Sequence, residues 1–140
     1  MFAVAVAAER ELKEETGLDC TFDRILCFRQ AHAGLFNRSD LFFVCLCKLA
    51  PKYQAQVENG GEVELLPQEE EILEAKWMPL EEFANQPVWQ ESPLYREMNA
   101  AMFRAAEGAR NGDASPGFVG KNLPVGFRPG SNTVYVSSRL

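Results

Sequence analysis

Residues 41–49 read LFFVCLCKL, an apolar run broken only at Lys48. Such a run is too short for a membrane helix, which needs about 20 residues. It is too continuous for a strand with one wet face, so it predicts a central strand buried on both faces. A chain of 140 residues has room for one domain around such a strand. Hydrophobic content of 46% and charged content of 24% fit an ordinary soluble globular protein. No apolar run reaches membrane length, so no membrane partner is expected. A net charge of −6 argues against a non-specific grip on nucleic acid. An acidic chain that handles phosphate esters needs metal ions to do so.

Around that strand the pattern alternates helix and strand. Alanine-rich residues 2–16 predict a helix, with Val4, Ala8 and Leu12 at four-residue steps and Gly17 as its C-terminal cap. The opening MFAVAVAA lacks the basic segment of a secretory signal and runs straight into this helix. Residues 20–33 predict one bent strand or two short ones, and GLFNRSD a turn. The polar, acidic stretch from Ala50 to Glu71 predicts a mobile excursion. ILEAKWMPL, residues 72–80, predicts a strand ending at Pro79, and LEEFANQ a short helix or turn. A long helix follows, with Ser92 as N-cap, Pro93 in its first turn, and an apolar stripe of Leu94, Met98, Met102 and Ala105. Residues 109–140, rich in Gly, Pro and Ser, predict a flexible tail with one β-like stretch, NTVYVSS. Cys20, Cys27, Cys45 and Cys47 lie in strand-like sequence without zinc-ligand spacing. Reduced, buried thiols are favoured over disulfides.

The first helix ends oddly. Glu11, Glu14 and Glu15 follow the i, i+3, i+4 rule and so share one face. They also sit where the helix dipole is negative, which disfavours carboxylates. Arg10 and Lys13 offset part of that field. A solvated charged face is the plain explanation. A hard divalent cation is the other, because Mg²⁺ or Mn²⁺ takes carboxylate oxygens.

The order of residues decides between them. Arg10, Glu11, Leu12, Glu14, Glu15, Gly17 and Leu18 match the second half of the Nudix box. The chain therefore resembles the Nudix hydrolases over residues 3 to about 105. The segments FRQAHAGLFNRSDLFFVCLCKL and EEEILEAKWMPLEEFANQP resemble the plant and animal branch acting on ADP-ribose and NADH. The resemblance implies an α/β fold, a Nudix-type α/β/α sandwich with a mixed β-sheet, over residues 1–108. It implies Mg²⁺ or Mn²⁺ held by Glu11, Glu14 and Glu15, and hydrolysis of a nucleoside diphosphate derivative. Glu11 and Glu71 are the two candidates for the catalytic base. Glu71 lies six residues before Trp77, where family members often add a carboxylate, and Glu69, Glu70 and Glu74 are neighbours.

Counting back from Arg10 puts the box's leading glutamate at Phe2 and its glycine before Met1. The resemblance thus lacks the first half of the box, and the expectation is a sheet missing its first strands. Arg29 and His32 are candidate substrate contacts, Arg29 as a planar fork for a phosphate. A surface ion pair for Arg29 and a strand-end role for His32 are their structural alternatives. Phe28, Phe36, Phe42 and Phe43 are expected in the core. A catalytically impaired nucleotide-binding or regulatory module, or an interaction domain using the Leu94/Met98/Met102 face, are the rival functions. A homodimer is admitted, and the expected compartment is the cytoplasm, or an organelle if a transit segment lies upstream.

Overall fold

Alanine and leucine carry the first helix to Thr16, and Gly17 stops it. In the computed structural model, which describes residues 4–32, 39–68, 70, 72–112 and 116–138, α1 spans Val4–Thr16. Gly17 adopts φ +76° and donates its N–H to the Lys13 carbonyl at 2.8 Å. A side chain there would also meet the Leu66 carbonyl oxygen, since a Cβ would lie 2.3 Å from it. Conformation and space both demand glycine. Two strands follow, β1 (Cys20–Ala31) and β2 (Asp40–Leu49). A 3₁₀ turn (Pro51–Tyr53) leads into α2 (Gln54–Glu58). Then come α3 (Leu80–Ala84), α4 (Pro87–Gln90), α5 (Pro93–Arg110), β3 (Phe118–Pro124) and β4 (Ser131–Ser137). Helices and a four-stranded sheet of order β2-β1-β3-β4 make this an α/β chain. The β1–β3 and β3–β4 pairings are both antiparallel.

The chain divides into two compact units, Met1–Asp23 with Leu46–Met78, and Arg24–Cys45 with Pro79–Leu140. In the first, Leu18 and Val63 are buried. The acidic connection, expected as a mobile excursion, is bonded to helix ends at several of its described residues. Gly61 N–H bonds the Gln56 carbonyl at 2.9 Å, Leu66 N–H the Thr16 carbonyl at 2.8 Å, and Gln68 N–H the Glu14 carbonyl at 2.9 Å. These bonds occupy carbonyls that the end of a helix otherwise leaves unpaired. Residues 72–79 form no strand; Trp77 instead donates its indole N–H to the Val63 carbonyl at 2.7 Å. Trp77 thus holds this stretch by one side-chain hydrogen bond rather than through a backbone ladder, and Leu73 is fully exposed.

In the second unit Ile25, Ala84, Asn99, Ala101 and Ala105 are buried. Ser92 caps α5 as expected, its Oγ accepting from Tyr95 N–H at 3.3 Å. The buried face of α5 is rotated from the expected stripe: Ala105 is buried, Met98 and Met102 half-buried, and Leu94 exposed. No residue of β2 is buried, and Phe42 is 50% exposed. Among the described residues the strand stands first in the sheet order, beside β1, so the central position read from its apolar run is corrected to an edge of the described sheet.

Within the stretch expected as a flexible tail, 109–140, the described residues 118–137 form a hairpin. β3 and β4 pair from Phe118↔Ser137 to Pro124↔Ser131, and Phe118 registers with Ile25 of β1. Gly117 makes this joint possible, because a Cβ there would lie 2.6 Å from the Ile25 carbonyl oxygen. The turn expected over GLFNRSD has its residues 34–38 outside the described residues.

Candidate functional site

The three glutamates of α1 hold the spacing that the helix dictates, with Glu11 and Glu15 exposed and Glu14 half-buried. Arg10 lies among them. Its Nη2 donates to Glu11 Oε1 at 2.9 Å, and its Nε is 3.8 Å from Glu14 Oε1. The Glu11 hydrogen bond, then the charges of Glu11 and Glu14, raise the guanidinium above its ordinary range. Lys13 does not share this task. Its ammonium turns to Asp19 at 3.0 Å and to the Gly17 carbonyl at 3.2 Å. The field of the turn is therefore offset by Arg10 more than by Lys13.

Two acidic residues that the sequence reading passed over fix this helix. Glu9 accepts the Phe22 N–H at 2.8 Å, which ties α1 to the start of β1. Asp19 receives both Lys13 and Lys52, its N–H donates to Tyr53 Oη at 3.1 Å, and its carbonyl accepts from Ala50 N–H at 3.0 Å. Asp19 directly follows the last residue of the motif, Leu18.

Carboxylate oxygens on one helix face are the donors that Mg²⁺ or Mn²⁺ takes, so the residue set fits such a cation in kind. The side chains are not drawn together. Glu11 and Glu14 lean on Arg10, and among the described residues no group of three or more His, Cys, Asp or Glu is arranged to hold a metal ion. Gathering them requires the Arg10 contacts to open. Glu71, the later-loop candidate, and Glu69 lie outside the described residues. Gln68, three residues before Glu71, is fastened to the backbone of Glu14 itself.

Arg29 and His32 belong to the other unit, on β1 and just after it. Arg29 stacks its guanidinium over Phe42 and Tyr95, with Cζ 5.0 and 5.6 Å from the ring centroids. Its Nε is buried with no hydrogen-bond partner among the described residues. His32 is exposed. The structure thus joins Glu11, Glu14 and Glu15 on one turn and describes Arg29 and His32 separately.

A NUDIX domain model matches residues 3–98, which contain α1, its glutamates and the connection bonded to them. This chain belongs to the Nudix family. It is 48% identical over 89 residues to Nudix hydrolase 2 of Arabidopsis thaliana, covering 64% of this chain and 28% of that protein. To Nudix hydrolase 10 of Arabidopsis thaliana it is 40% identical over 96 residues, 69% of this chain and 31% of that protein. A Xenopus laevis protein, nucleoside diphosphate-linked moiety X motif 6, is 33% identical over 84 residues, 58% of this chain and 33% of that protein. The chain thus spans about a third or less of the length of these Nudix relatives.

Proposed function

We propose that this chain carries out divalent-cation-dependent hydrolysis of the diphosphate bond in a nucleoside diphosphate linked to another moiety. ADP-ribose or NADH is the substrate we favour, on likeness to the plant and animal Nudix branch. The observation that carries the reading is the end of α1. One turn presents Glu11, Glu14 and Glu15, and the Gln68–Glu14 bond fastens the acidic connection to that same turn. The names of the relatives support it: several are Nudix hydrolases, and one names a nucleoside diphosphate-linked moiety.

Glu11, Glu14 and Glu15 would hold Mg²⁺ or Mn²⁺. The cation supplies charge neutralisation of a diphosphate and polarisation of its phosphorus. Arg10 must release Glu11 and Glu14 for this, so its guanidinium competes with the cation in the free protein. Glu11 or Glu71 takes the proton from the attacking water. Clustered carboxylates titrate together, so the base belongs to a coupled set. Arg29 and His32 are the substrate contacts in this scheme.

The test is AMP release from ADP-ribose and from NADH in the presence of Mg²⁺. Glu14→Gln and Glu15→Gln should each lower the rate, because each removes a carboxylate that would hold the cation. Equal rates in the variants and the parent chain rule out catalysis by this turn. A second reading, a nucleotide-binding module without hydrolysis, is favoured by the ungathered carboxylates. It predicts nucleotide binding with no product in any of the proteins.

A further inference from the structure

The strand β2 lacks the proline and the internal charges that keep an open sheet edge from pairing. It runs ten residues, Asp40–Leu49, where strands typically have about five or six. Between Asp40 and Lys48 every side chain is apolar or a thiol. Leu41 is 60% exposed and Phe42 50%. Among the described residues, no backbone bond from a turn or loop reaches residues 40–46. β4, at the other end of the described sheet, differs in kind, since Ser131, Asn132, Thr133 and Ser137 make its sequence polar. A long apolar edge left open is a template for another strand.

The order of residues in β2 says which strand fits. DLFFVCLCK has an acid at one end, a base at the other and Val44 in the middle. Two copies laid antiparallel about a two-fold axis at Val44 set Asp40 opposite Lys48 twice. The same register sets Leu41 against Cys47, Phe42 against Leu46 and Phe43 against Cys45. Opposite residues must lie on one face of the sheet, so the two-fold axis can move only from residue to residue. Moving it by one residue sets Asp40 against Leu46 in one direction, and Lys48 against Phe42 in the other. Only the axis at Val44 joins both charges. The Lys48 ammonium lies 3.3 Å from Asp23 while its side chain is 71% exposed. An ammonium has three donors, so a second carboxylate can meet it from solvent.

We infer that the partner of this edge is a second copy of the chain, joined β2 to β2 in antiparallel register about Val44. Backbone N–H and C=O groups of the two edges supply the ladder. Leu41 and Phe42 give up exposed apolar area, and the two Asp40–Lys48 pairs set the register. Each copy uses the same edge, so the assembly closes at two. One strand from each copy is a small contact, and the dimer is of the weak, exchanging kind. The inference concerns the sheet alone and does not rest on the hydrolase reading.

Sedimentation velocity of the full chain over a concentration series should show monomer passing to dimer, with no larger species. Asp40→Lys and Lys48→Glu should each weaken that dimer by about tenfold, because one reversal turns both attractive pairs into repulsive ones. An equal mixture of the two variants should associate more tightly than either alone. In the mixed pair every charge again faces its opposite, which a merely damaged strand does not reproduce. Hydrogen exchange on the parent chain locates the contact even where a variant fails to fold. Amides of residues 41–47 should exchange more slowly at high concentration than at low, and those of β4 should not change. A chain that stays monomeric throughout, growth beyond two copies, or protection gained at β4 in place of β2 overturns the proposal. A mixture no tighter than its components overturns the register about Val44.

Discussion

Asp19 gathers more of the first unit than any glutamate of the motif does. Lys52 and Lys13 hold its carboxyl below the usual carboxylate range, Lys52's hydrogen bond most of all. A carboxyl whose folded pKa is depressed adds stability above its unfolded pKa, about 3.9, and loses it as pH falls through the folded value. Asp19→Asn should therefore lower the urea midpoint at pH 7, and the gap between variant and parent should narrow as the pH is taken down below about 3.9. Urea titrations at pH 7 and at a series of lower pH values check this; a gap that does not change with pH assigns the effect to shape rather than charge. Lys52 is the complementary half, raised by Asp19, so its share of the bond is lost only in strong alkali. None of this was visible beforehand. A lone aspartate after a glycine has no pattern of its own, and its partner Lys52 lies 33 residues away.

At the scale of elements, local rules carried further than burial rules. Gly17 as a helix stop and Ser92 as a helix start depend on neighbours within one turn, and both stand in the structure as the residues dictate. Ser92→Ala should cost about 1 kcal/mol, measured by chemical denaturation, with most of the loss traced to the Tyr95 N–H that Ser92 now satisfies. The apolar run of β2 identified a strand but not its place, because periodicity reports the faces of a strand and not how many neighbours it has. Residues 72–79 misled for a related reason. An apolar, β-favouring stretch can dock through one indole N–H as well as through a ladder. The β3–β4 hairpin was half legible: NTVYVSS pointed to β4, while β3 depends on Gly117 passing close to Ile25, a contact that composition does not announce. Of the site, the helix turn with Glu11, Glu14 and Glu15 was readable from spacing. An aromatic cavity in the second unit was not, since Trp89, Tyr95, Met98 and Phe42 meet from three elements.

Among the described residues the buried ones are few, and three of the seven are alanines. Ala84, Ala101 and Ala105 serve the second unit, and among the described residues no side chain is completely enclosed. Both β1 and β2 contribute residues to each unit. Loss of either unit therefore takes strand away from the other, and unfolding should be a single transition. The two tryptophans make the check direct, because Trp77 lies in one unit and Trp89 in the other. In a 5-fluorotryptophan-labelled sample, the two native ¹⁹F signals should vanish at one urea concentration. Separate midpoints would show that each unit melts by itself.

The bond from Gln68 to the Glu14 carbonyl makes two stretches of chain, far apart in sequence, share one fate. Slack in the acidic connection transmits to the helix end as fraying, and a stiffened helix end in turn restrains the connection. Sensitivity to change at the glutamate turn thus extends to a loop that carries none of its three carboxylates.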